Sequence, residues 1–155
     1  MNIKLINKIV TSNLVLSSFI LRVPLGLILA AHGSQKLFAW FGGYGLEGTG
    51  QWMASIGITP GYLMALLAGS GEFFGGIALI IGLLSRPAAL VTAFTMLIAL
   101  IVVHLGNGLF LANNGYEYAL MLLVASLTIV LQGAGRFSVD ALLSKKLTDK
   151  ENTNT

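Results

Sequence analysis

The sequence predicts an all-α integral membrane protein, a four-helix bundle with a short interfacial helix between spans one and two. Three observations carry that reading. Of 155 residues, 55% are hydrophobic and only 10% charged, and the mean hydropathy is +0.84, whereas a soluble domain carries roughly a quarter charged residues. The apolar residues collect into four runs, at about 14–41, 62–84, 87–105 and 117–132. Finally, the segments 42–61 and 106–116 contain no Lys or Arg. Basic residues therefore alternate from one side of a membrane to the other.

The four runs read as helices. A helix rising about 1.5 Å per residue needs about 20 residues to cross about 30 Å of hydrocarbon. The first two runs meet that length, and the fourth does so when Tyr116, Glu117 and Gln132 are counted as its interfacial ends. None shows the period-2 alternation of a barrel strand. Lys4 and Lys8 before an apolar run have the order of a signal peptide. Arg22, Pro24 and the continuation to Phe41 favour a retained first span.

Gly42-Gly43-Tyr44-Gly45 is expected to break the first helix, and Thr49 to Ile56 to form the interfacial helix, with Trp52, Met53 and Ile56 on its apolar side. Gly57 and Pro60 end it. Ser85-Arg86-Pro87 reads as a tight turn between spans two and three. Asn107-Gly108 and Asn113-Asn114-Gly115 supply turn chemistry before span four. Residues 1–144 thus form a single transmembrane domain, and 145–155 a polar, frayed tail. Lys4, Lys8, Arg86, Arg136, Lys145, Lys146 and Lys150 fall on one side, so the positive-inside rule places both termini in the cytoplasm.

Composition excludes several function classes. With no Cys, disulfides, thiolate nucleophiles, iron–sulfur ligation and c-type haem attachment are closed off. The net charge of +3 is scattered between apolar runs, which argues for membrane topology and against nucleic acid. Nineteen Gly without a three-residue repeat are not collagen.

Function is sought where polar groups enter the spans, because an unpaired polar group in lipid costs several kcal/mol, of order 2–7. The candidates are Arg22, His32 and Lys36 in span one (with Gln35), Glu72 in span two, His104 in span three and Glu117 at the start of span four. Counted from the span ends, His32, Lys36, His104 and Glu117 fall in the extracytoplasmic half and Glu72 near the middle. His32 and Lys36, four residues apart, stack on one helix face. Glu72 shares a face with Ala68 and Gly76, and small residues at that spacing draw helices together. Glu72 is therefore expected at a helix–helix contact.

Blander readings stand beside these. Glu72 is either a structural ion pair with Lys36 or Arg22, or a proton-carrying or ligand-binding group. Arg22, about 21 Å from Lys36 along the helix, reads as a topology anchor that snorkels, or as reaching toward Glu72. His32 suits a satisfied hydrogen-bonding group as well as a proton donor, and His104 an interfacial residue. A b-type haem on His32 and His104, or a metal held by His32, His104, Glu72 and Glu117, lacks a supporting motif. No cofactor is encoded and no metal is expected.

At these residues a family resemblance enters. Arg22, Gly26 and His32-Gly33-Ser34-Gln35-Lys36-Leu37 resemble the signature of the DoxX family. So do Gly71-Glu72-Phe73-Phe74-Gly75-Gly76 with Gly82 and Arg86, then Gly115-Tyr116-Glu117, and finally Gly133-Ala134-Gly135-Arg136-Phe137-Ser138-Val139-Asp140. The match runs in order over about residues 15–143. The resemblance implies a four-span inner-membrane protein of bacteria or archaea. It also implies a connection to thiosulfate:quinone oxidoreductase subunits, oxidative-stress complexes or tolerance of quinones and aromatic electrophiles.

The leading expectation is a membrane subunit of quinone-linked redox chemistry. A quinone would lie in an apolar cavity, with His32, Lys36 and Glu72 bonding or protonating its oxygens and Arg22, His104 and Glu117 nearby. Any electron carrier would sit on a soluble or membrane oxidoreductase partner. The alternatives are a non-enzymatic scaffold docking soluble oxidoreductases, and a small proton-linked transporter, which would need a homo-oligomer to form a pathway.

Overall fold

The computed structural model describes residues 16–153; Lys4, Lys8 and the first two residues of the expected first span lie outside them. The described chain is helical, without a strand: α1 Ser17–Phe38, α2 Gly45–Ser55, α3 Gly61–Ile81, α4 Ser85–Ile98, α5 Glu117–Gln132 and α6 Val139–Thr153. Helix α4 continues through a π-helical turn, Ala99–His104, and a 3-10 turn, Leu105–Asn107. Three helical stretches, Ser17–Phe38, Gly61–Ile81 and Ser85–Asn107, are long and apolar enough to cross a membrane. The fourth, α5, has 16 residues, about 24 Å of helix. The all-helical membrane bundle stands.

Close packing of α1 on α3 rests on glycine. A Cβ on Gly26 would sit 2.5 Å from the Gly76 carbonyl oxygen, and one on Gly76 2.5 Å from the Ala30 nitrogen. A Cβ on Gly33 would collide with the Phe73 backbone nitrogen. Lipid competes for apolar side chains on equal terms, so backbone proximity of this kind supplies the contact energy between spans. Leu25, Leu29, Leu79, Ala89, Met96, Leu122 and Ile129 form the core between α1, α3, α4 and α5. Within it the Thr92 hydroxyl donates to Ser126 Oγ at 3.1 Å.

Several boundaries differ from the sequence expectation, each for a local reason. Helix α1 ends at Phe38 because Ala39 adopts the left-handed conformation, φ 58°, so the chain turns before the glycines at 42, 43 and 45. The interfacial helix starts at Gly45 rather than Thr49; of its expected apolar residues Met53 is buried and Trp52 and Ile56 are exposed. The turn between α3 and α4 is Gly82–Leu84, and Ser85 is already helical. Asp140 explains this shift. The Leu84 backbone N–H donates to its Oδ1 at 2.7 Å and the Ser85 N–H to its Oδ2 at 2.9 Å, satisfying orphan donors at the start of α4. The tail expected to be frayed is helical from Val139 to Thr153.

Candidate functional site

Lys36 occupies the last turn of α1 and Glu72 the middle of α3. Gly69 brings them together: a Cβ there would lie 3.2 Å from Lys36 Cβ, so the lysine side chain runs flat across α3. Its Nζ donates to Glu72 Oε2 at 2.5 Å. Glu72 is 3% exposed and the Lys36 side chain 24%. Burial of both charges has a desolvation cost that only mutual pairing and further hydrogen bonds offset. Of the three ammonium donors of Lys36, one serves Glu72, and the side chain borders open space.

That space is a cavity of about 890 Å³ between α3 and α4, roofed by α2, within the range of small-molecule sites, about 300–1,000 Å³. Its inner end is closed. A Cβ on Gly71 would lie 3.2 Å from both Thr95 Oγ1 and Val91 Cγ1, and one on Gly75 2.7 Å from Thr92 Cγ2. Below those contacts Leu79 and Ala89 are fully buried. Toward the α2 end, Met53, Met64, Ile98 and Val103 form apolar walls. His104 and Asn114 also line the cavity, joined by a 2.8 Å contact between His104 Nδ1 and the Asn114 carbonyl oxygen. Ala99, Val103 and His104 all belong to the π-helical turn, a geometry that recurs at functional sites.

The structure sorts the six sequence candidates. Lys36, Glu72 and His104 line one cavity. His32, although one helical turn from Lys36, faces α5, its ring 6.0 Å from that of Tyr118. Glu117 accepts a bond from the Leu111 backbone N–H at 2.5 Å and holds the connection before α5. Arg22 neither snorkels nor reaches Glu72. It is 1% exposed, and its Nε donates to the Ala134 carbonyl at 3.1 Å. Its Nη1 donates to the Leu79 and Ile80 carbonyls at 2.6 and 2.5 Å, and its Nη2 to the Phe137 carbonyl.

The histidines thus serve different features, and no group of three or more His, Asp or Glu among the described residues could hold a metal ion. The site includes residues that sequence reasoning did not assign to it, chiefly Thr95, Asn114, and Ala99 and Val103 of the π-helical turn. Trp52 and Met53 carried a signal as the apolar side of the interfacial helix, and both line the cavity.

The DoxX family model matches residues 17–105. The chain is 32% identical over 130 residues to "Putative oxidoreductase CatD" of Bacillus subtilis (strain 168), covering 84% of this chain and 89% of that protein. It is 36% identical over 110 residues to "Inner membrane protein YqjF" of Escherichia coli (strain K12), covering 66% of this chain and 77% of that protein. No solved structure matches the chain. The match to the family model, the CatD alignment and the helical membrane architecture together show that this chain is a membrane protein belonging to the DoxX family.

Proposed function

We propose that this protein binds a quinone in the α3–α4 cavity and serves quinone-linked redox chemistry in the inner membrane. The observation that carries the reading is an ion pair, Lys36–Glu72, placed at the closed end of an apolar cavity of ligand size. A planar apolar ring fills such walls, and the ammonium group donates to a carbonyl oxygen. As electrons arrive, that oxygen gains negative charge, which a fixed cation in a water-poor site stabilises. Glu72 holds the ammonium in place, and His104 stands at the far end of the cavity. The electrons come from an oxidoreductase partner. The oxidoreductase name of CatD and the inner-membrane name of YqjF support the setting. The cationic Arg86, Arg136, Lys145, Lys146 and Lys150 support a cytoplasmic α6.

Trp52 lines the cavity, and the chain has only one other tryptophan, Trp40. In a Trp40→Phe background reconstituted in nanodiscs, a short benzoquinone should quench Trp52 fluorescence saturably. Lys36→Met should weaken that binding about 10- to 100-fold, the worth of one charge-assisted hydrogen bond. Quenching that never saturates, or that ignores Lys36, would overturn the reading. A scaffold acting through α6 predicts the reverse, with charge reversal at Lys145 and Lys146 abolishing cellular function and Lys36→Met preserving it.

A further inference from the structure

The shape of the cavity narrows the class of ligand beyond its polar end. Lys36 and Glu72 mark one end, and the opposite end is rimmed by His104 and Asn114. One long wall carries no charge. Leu67 on α3 and Leu90 and Phe94 on α4 line the cavity yet are 57%, 58% and 64% exposed. In a membrane these side chains meet hydrocarbon, so the cavity opens sideways into the bilayer as well as toward the α2 end. A small polar solute would leave that apolar edge against lipid with nothing to match it. A pure hydrocarbon would leave the remaining Lys36 donors buried without partners, which is unfavourable for a charged group. An amphiphile satisfies both the Lys36–Glu72 end and the apolar side wall.

Resting on the quinone reading, we propose that the ligand carries a long apolar chain and enters from the bilayer through the Leu67–Phe94 opening. The ring lies against Lys36 and Glu72 at the closed inner end. The chain leaves between α3 and α4, over Leu67, Phe94 and Ile98. Lipid tails are as apolar as these side chains, so the chain adds little affinity of its own; the opening selects for ligands that already reside in the membrane and fixes the direction in which they enter.

The test uses the full chain in nanodiscs and a benzoquinone whose alkyl chain ends in a photoactivatable diazirine. Trp52 quenching in the Trp40→Phe background reports the ring, and mass spectrometry of cross-linked peptides reports the chain. Saturable quenching is expected, with cross-links concentrated at Leu67, Phe94 and Ile98 and suppressed at least about fivefold by excess unlabelled quinone. Saturable quenching with cross-links spread over all lipid-facing helices, or unaffected by competitor, overturns the lateral chain site and leaves quinone binding intact. Absence of saturable quenching overturns both.

Discussion

Helix α1 carries two cations fourteen residues apart, Arg22 buried and Lys36 partly buried, and they have opposite fates. The guanidinium of Arg22 is surrounded by backbone carbonyls of Leu79, Ile80, Ala134 and Phe137. It ties the C-terminal end of α3 and the connection after α5 to α1, and its fork geometry suits several acceptors at once. Lys36 meets one carboxylate and a cavity. A cation whose donors are consumed by the fold is structural, whereas a cation with donors to spare beside open space is available for chemistry. Residue type and depth in the span do not separate the two cases; the count of satisfied donors does.

The sharpest way to break this comparison is to remove Arg22. Arg22→Met should cost the largest amount of stability, at least about 3 kcal/mol, because several buried carbonyls lose their partner together. Reversible unfolding in mixed micelles reads this, and Arg22→Lys should recover only part of the loss. Next in size, Gly33→Ala should cost about 1–3 kcal/mol by overpacking α1 against the Phe73 backbone, and it should weaken quinone binding by moving Lys36 off Glu72.

The double variant Lys36→Met with Glu72→Met sharpens the contrast from the other side. Replacing a whole buried pair is often neutral or better for stability, so its unfolding free energy should stay within about 1 kcal/mol of the parent while saturable Trp52 quenching disappears. A loss of stability equal to that of Arg22→Met would put the pair in the structural class. The smallest effect is expected of Asp140→Ala, about 1 kcal/mol from the lost cap on α4, with ligand binding unchanged.

Much of the architecture was legible in the sequence because hydrocarbon acts on composition over whole runs. The spans about 62–84 and 117–132 lie close to α3 and α5. Features set by backbone conformation were not legible. Nothing in the residue types around Ala39 announces a left-handed turn, and the π-helical turn in Ala99–His104 falls within an apolar run like any other. The cap by Asp140 joins residues 55 and 56 positions apart, beyond any local pattern.

In the site, Glu72 at a glycine-rich helix contact was readable from its small neighbours, and pairing with Lys36 was one of two options. The choice against Arg22 depended on where carbonyls at helix ends point, which a sequence does not display. His32 was drawn in by sharing a face with Lys36, but the two are offset by about 40° around the helix. A long lysine side chain reaches α3 from there, and the shorter imidazole meets Tyr118.

The central claim is that the bundle has an occupiable space beside Lys36 and Glu72 and a sealed interior beside Arg22. The chain has no cysteine, so an introduced thiol is unique. Ala68 lines the cavity, and Ala89 is fully buried in the core. With a membrane-permeant maleimide, Ala68→Cys should react and be reversibly protected by a benzoquinone whose ring carbons are all substituted, so that it does not add the thiol, while Ala89→Cys should remain unreactive with or without it. Equal reactivity at the two positions, or reaction at residue 68 that no quinone slows, would contradict the account.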